Sequence, residues 1–157
     1  MKVDGRREAR GEGGAAAVEF ALISVLFFTL LFGMIQYALY FWSTQSAADA
    51  ARDAARRGAV GQTCADLQAS VTTNTKLVSG TVTATRRYYD ASVVSNFAAA
   101  TPTTAANDRN VRIVITYNSL DLHYPFIPLP RSGVVTETSV AKVENYSASS
   151  PTNWANC

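Results

Sequence analysis

The sequence predicts an α+β chain in which a long N-terminal membrane-spanning helix continues into a small antiparallel β-sheet domain. Three observations carry that reading. From Ala15 to Trp42 there is a single charged residue, Glu19. The next stretch, Ser43–Arg57, contains no Pro or Gly and is rich in Ala, the best helix former. Beyond Gly61 the chain turns to Thr-rich alternation of the kind that half-buried strands show. At 157 residues the chain is long enough for one domain plus one appended element.

Composition narrows the function. Charged residues are 17% of the chain, and 14 Lys+Arg against 12 Asp+Glu give a net charge of +2, so nothing global points to nucleic acid. One His, two Cys and two Met leave little material for a metal site or a histidine-based catalytic machine. An ordinary cytosolic enzyme does not fit this distribution, and no cofactor is implied.

Met1–Gly14 is a polar leader with no apolar face, carrying Lys2, Arg6, Arg7 and Arg10 against Asp4, Glu8 and Glu12. Gly11, Gly13 and Gly14 make it costly to order, and it reads as an unstructured, solvent-facing tail. Phe20–Trp42 has about the length needed to cross a bilayer as a helix. Ser24, Thr29 and Gln36 interrupt it mildly, and a helix tolerates them because hydroxyls bond back to its own carbonyls. Tyr37, Tyr40 and Trp42 at its far end suit a membrane interface. The alternative, a buried helix in a soluble core, asks the residues that follow to wrap a helix that is apolar on every side, and there are too few of them.

The helix is expected to continue through STQSAADAARDAARRG. Ala47, Ala51, Ala54 and Ala55 share one stripe, whereas Asp49, Arg52, Asp53 and Arg56 lie elsewhere. Pairs from Asp49 to Arg52, and from Asp53 to Arg56 or Arg57, add a few tenths of a kcal/mol each. Arg56 and Arg57 suit the negative end of the dipole, and Gly58 is expected to terminate the helix. The predicted organisation is thus a leader over 1–14, a helix over 15–58 and a small α+β domain over 59–157.

Within that domain Thr63-Cys-Ala-Asp66 resembles a capping box, and Cys64, Leu67 and Val71 give a short amphipathic helix ending near Lys76. Strands are expected over Val78–Tyr89, over Val111–Tyr117 with Val111, Ile113, Ile115 and Tyr117 on one face, and over Val134–Asn145. Pro125, Pro128 and Pro130 keep YPFIPLPRSG out of any regular element, and Asn96–Asn110 reads as an Ala/Thr-rich loop. The simplest assembly lays the sheet over the Ala stripe.

The junction Gly14-Ala15-Ala16-Ala17-Val18-Glu19-Phe20 joins a charged leader, a glycine, an acid at the fifth place after it and a Phe to a long apolar helix. It resembles the processing site of type IV prepilins. That resemblance implies cleavage by a prepilin peptidase between Gly14 and Ala15, with Glu19 and Phe20 in recognition and assembly. Glu19 within an apolar helix costs up to about 3 kcal/mol at the bilayer centre and less near its edge. An α-ammonium created on Ala15 of one subunit can compensate by pairing with Glu19 of another. The alternative is a Glu19 that lies at headgroup level and needs no partner.

More of the chain is similar to a narrower family. AAAVEFALI…LLFGMIQYALYFWSTQSAADAARDAARRGAV resembles the N-terminal region of TadE-like proteins, minor pilins or pseudopilins of tight adherence (Tad/Flp pilus) systems. The similarity continues weakly in VRIVITYNSLDLHYPFIPL and GVVTETSVAKVEN. It implies a non-enzymatic component that primes, caps or regulates a pilus. Its implied partners are prepilin peptidase, other minor and major pilins, the inner-membrane pilus assembly machinery and the lipid bilayer. The chain is longer than a major Flp pilin and smaller than a TadG-type partner. Lys and Arg number four in the leader and three in Ser43–Arg57, a slight positive-inside bias. The resemblance therefore carries most of the orientation, with the leader cytoplasmic and the domain periplasmic or extracellular.

In that compartment a Cys64–Cys157 disulfide is permitted, tying the tail SASSPTNWANC to the domain; the alternative is two unrelated thiols. His123, with no Ser or Cys nucleophile near it in sequence, reads as a surface or packing residue. Arg86-Arg87-Tyr88-Tyr89 reads as a solvated strand end rather than a nucleic-acid or sugar contact. Asn145-Tyr146-Ser147 fits the N-glycosylation pattern by chance, and no Walker, GxSxG, HExxH or CxxC pattern occurs. Two other functions compete with the pilin reading. One is a signal-anchored envelope binding domain that keeps its leader. The other is a secreted protein cut near Ala48-Asp49-Ala50, although the apolar run exceeds an ordinary signal sequence.

Overall fold

The computed structural model describes residues 9–90, 109–124, 126–143 and 157. Helix α1 spans Ala9–Ala59, α2 spans Cys64–Asn74, and three strands follow: β1 Val78–Asp90, β2 Arg109–Ser119 and β3 Val134–Lys142. The sheet is antiparallel in the order β1-β2-β3. The fold is α+β: one long apolar helix, a short helix and a three-stranded sheet.

Helix α1 starts at Ala9, six residues before the expected start. Residues 9–14 of the expected tail are helical. Adding residues to an existing helix costs far less than nucleating one, and that difference outweighs the intrinsic cost of three glycines. At 1.5 Å per residue, its 51 residues make a rod of about 76 Å.

The helix ends at Ala59 and is closed by Gly61, not by Gly58. Gly61 adopts φ +83°, the amide of Gln62 donates to the Arg57 carbonyl at 3.1 Å, and the amide of Gly61 donates to Gly58 at 3.3 Å. That pattern is a Schellman closure with Gly61 in the left-handed position. Gly58 stays inside the helix for a different reason, close packing. A Cβ there would lie 3.2 Å from Val111 Cγ2, so a bare backbone lets α1 approach the sheet.

The Ala stripe is where the sheet docks. Ala47, Ala51, Ala54 and Ala55 are buried, joined by Ala50 and Ala59, and Val111, Ile113, Ile115 and Tyr117 of β2 are buried in the same core. Small side chains on one surface and larger ones on the other let helix and sheet approach closely. On the outer face Arg52 pairs with Asp49 at 3.1 Å and Arg57 with Asp53 at 2.6 Å.

Helix α2 begins as the sequence indicates. The Thr63 hydroxyl accepts from the Asp66 amide at 3.2 Å and is 2.7 Å from the Asp66 carboxylate, while Leu67 and Val71 face the core. Strand β1 carries a bulge between Ser79 and Thr83, where Gly80 has φ +87°. Strand β3 ends at Lys142; the last two residues of its expected span, 144–145, lie outside the described residues, as does most of the 96–110 loop. The proline-rich segment has no long element but closes on one 3₁₀ turn at Pro130–Gly133, with Arg131 and Ser132 at positive φ.

Candidate functional site

The membrane-facing part of α1 is built from side chains with nothing to pack against. Among the described residues, one helix is long and apolar enough to cross a membrane, and its most apolar window contains no buried residue. Phe20, Leu22, Ile23, Leu26, Phe27 and Leu30 are all exposed. A soluble domain does not leave so large a contiguous apolar surface in water, and a bilayer removes the penalty. The two hydroxyls in this stretch are internally satisfied: Ser24 donates to the Ala21 carbonyl at 2.9 Å and Thr29 to Val25 at 2.8 Å. The helix thus serves as a single-pass membrane anchor.

Gly14, Ala15, Glu19 and Phe20 all lie on this exposed stretch, with Ala15 and Glu19 one turn apart on the same face. A Cβ built on Gly14 meets no atom within 4 Å, so packing inside this chain does not require glycine there. Among the described residues no cation pairs with Glu19. Residues 1–8 of the leader lie outside the described residues.

The domain begins to cover the helix at Gln36. Its side chain is 1% exposed; its amide nitrogen donates to the Leu120 carbonyl at 3.1 Å and its amide oxygen accepts from the Leu122 amide at 3.1 Å. Tyr37 donates to the Pro128 carbonyl at 2.9 Å, and one turn lower the Phe32 and Tyr124 rings stack with centroids 4.8 Å apart. Higher up, Tyr117 donates to the Ser43 carbonyl and Tyr88 donates to the Gly58 carbonyl at 3.0 Å. The last third of the 20–42 stretch is therefore partly sheathed by its own domain.

Cys64 and Cys157 are joined by a disulfide with Cα atoms 6.2 Å apart. Cys157 also exchanges backbone hydrogen bonds with Arg86, 2.7 Å and 3.0 Å long, at the outer edge of β1. Gln68 of α2 occupies the same edge two residues earlier, accepting from the Ala84 amide at 3.0 Å and donating to the Val82 carbonyl at 2.7 Å.

Arg86-Arg87-Tyr88-Tyr89 is not a solvated strand end. Arg86, Tyr88 and Tyr89 are buried and only Arg87 is exposed. The Arg86 guanidinium donates to the Gln62 carbonyl, reaches Cys64 Sγ at 3.1 Å and lies 5.5 Å from the Tyr88 ring centroid. Burial lowers the Arg86 pKa, and the neighbouring tyrosine opposes this; burial raises that of Tyr88. The signal missed in the sequence was the alternation itself, which puts residues 82, 84, 86 and 88 on one face. His123 is exposed and turned back on Asp121, its amide 2.8 Å from Asp121 Oδ1. Among the described residues no group of three or more His, Cys, Asp or Glu could hold a metal ion. Asn145-Tyr146-Ser147 lies outside the described residues.

These features define a class: a single-span membrane protein whose anchor and α+β domain share one uninterrupted helix. Residues 14–56 match the family model described as TadE-like protein, so the chain is similar to that family over its membrane anchor and Ala stripe. The match begins at Gly14 and covers none of the sheet. Neither a curated protein nor a solved structure matches the chain.

Proposed function

We propose that the chain is a minor pilin or pseudopilin of a Tad/Flp-type pilus, made as an inner-membrane precursor and cut by prepilin peptidase after Gly14. It serves a structural role in pilus biogenesis, adhesion or surface attachment, with the domain on the periplasmic or outer side. The supporting observation is the juxtaposition on α1 of an unpacked Gly14 with a lone acid one turn past Ala15, on a surface that only lipid or another helix can cover. Hydrolysis adds water across the Gly14–Ala15 peptide, leaving a carboxylate on Gly14 and an ammonium on Ala15. That ammonium lies about 6 Å along the helix from Glu19, so neighbouring subunits in modest stagger can pair amine with acid. Gly11, Gly13 and Gly14 each weaken the helix by about 1 kcal/mol relative to Ala, which eases the local unwinding a peptidase needs.

The continuity of α1 from Ala9 through Gly14 favours a second reading, a signal-anchored envelope domain that keeps its leader. Mass spectrometry of the protein recovered from membranes and fibres separates the two. A mature terminus at Ala15 is expected, whereas an intact Met1 in every fraction supports the anchor and removes the pilin reading. Glu19→Ala is expected to insert normally but to lose incorporation into pili; unchanged piliation would take Glu19 out of the assembly step.

A further inference from the structure

The segment from Asp121 to Leu129 runs back alongside α1 and ends in an apolar tip. Phe126 is 95% exposed and held at φ +68°, a conformation in which an aromatic residue is rare. Between this tip and the helix opens a groove of about 350 Å³ lined by Val25, Phe28, Thr29, Phe126 and Ile127 among others. The tip is continuous with the anchor's own apolar surface rather than isolated on the domain.

Depth along the helix decides what faces it. A hydrocarbon core of about 30 Å needs about 20 helical residues, and counted from Ala15, where the charge-poor run begins, that ends at about Met34. Gln36, the first polar side chain buried by the domain, stands at that limit. Tyr124, stacked on Phe32, therefore lies just within the outer boundary of the bilayer, and Phe126 and Ile127 line the groove with Phe28 below it. The stem of the segment is polar and exposed, with Asp121 and His123. Its backbone is tied to protein: the Leu120 carbonyl and Leu122 amide to Gln36, the Pro128 carbonyl to Tyr37, and the Ile127 amide to the Tyr124 carbonyl at 3.3 Å. Irregular backbone is tolerated at membrane depth when its polar groups are satisfied in this way.

We infer that the tip carrying Tyr124, Phe126 and Ile127 is a second membrane contact: Phe126 enters the outer leaflet beside the helix, and acyl chains fill the groove between them. The inference rests on the anchor reading of α1 and adds a contact on the domain itself. It is tested with the full chain in phosphatidylcholine/phosphatidylglycerol vesicles whose acyl chains carry bromine, a short-range quencher. In a Trp42→Phe/Trp154→Phe background, Phe126→Trp supplies one probe and Leu26→Trp, in the middle of the span, another. Emission from both is expected to be blue-shifted and to fall by roughly half or more relative to unbrominated vesicles. Quenching at position 26 with water-like, unquenched emission at 126 overturns the inference and leaves the anchor intact. Blue-shifted but unquenched emission at 126 also overturns it, and points to a protein surface covering the tip. Failure of quenching at position 26 removes the anchor reading, and this inference with it.

Discussion

The hydroxyl of Tyr88 donates to the carbonyl of Gly58 across 3.0 Å, fastening the last turns of the long helix to β1. The same position packs against β2, where a Cβ on residue 58 would lie 3.2 Å from Val111 Cγ2. Gly58→Ala gains about 1 kcal/mol of helix propensity, but its Cβ would press on a fully buried Val111, and overpacking of that kind costs about 1–3 kcal/mol. The expected net effect is a loss of about 1 kcal/mol, larger for Gly58→Val. Urea unfolding of the detergent-solubilised protein measures it. A Gly58→Ala protein more stable than wild type would show that Val111 yields.

Gln36 is the counterpart at the membrane end. Replacement by Ala removes the partner of the half-buried Leu120 carbonyl and of the more exposed Leu122 amide, and each lost hydrogen bond costs about 0.5–1.5 kcal/mol. Gln36→Ala is expected to loosen the 120–128 segment before the sheet, read as faster amide exchange at Leu122 with exchange at Ile113 little changed. Uniform acceleration at both positions would mean that the segment and the core open as one unit.

Reduction, or Cys157→Ser, removes the cross-link between positions 93 residues apart. The chain-entropy model puts the destabilisation at about 4–5 kcal/mol. It also exposes the outer edge of β1 at Arg86, whose amide is expected to lose exchange protection while that of Ala84, held by Gln68, keeps it. A thermal midpoint unaffected by reductant would show that the tail adds nothing to stability.

Alkaline pH is expected to weaken the domain through two phenols. Burial, first among the causes, raises Tyr88 and Tyr117 above the ordinary 10.0; the Arg86 charge opposes it at Tyr88, and the hydrogen bond to Ser43 opposes it at Tyr117. Their folded-state pKa values exceed the unfolded ones, so their contribution is complete below pH 10 and is lost as pH rises through the raised values. Burial shifts Arg86 downward, and it acts in the opposite sense. Urea midpoints from neutral pH to about pH 11 test this, with Tyr88→Phe/Tyr117→Phe expected to flatten the decline.

Much of this architecture was legible from residue patterns. The apolar run, the Ala stripe, the Thr63 cap and the buried face of β2 are local periodicities, and local periodicity is what a sequence displays directly. Three features were not. Gly58 and Gly61 are both plausible stops, and the choice between them rests on Val111, which is distant in sequence. The buried Arg86 obeys the strand alternation, but a basic pair beside two tyrosines mimics a solvated edge until Gln62 and Cys64 are in place to receive it. The sheath from Gln36 onward comes from the return of a proline-rich segment whose path no periodicity encodes. At the junction, Gly14, Ala15 and Glu19 were legible as a spacing, and the structure adds that no packing partner explains the glycine.

Nothing between Gly14 and Ala59 interrupts the rod: no proline falls there, and both interior glycines remain helical. Motion of the buried end therefore reaches the sheet without slack. From Gln36 to Ala59 the lever arm is about 35 Å, so a tilt of about 10° in the bilayer swings the far end sideways by about 6 Å. A turn of the stem about its own axis cranks the whole head through the same angle. Whatever grips the greasy end thereby steers the other.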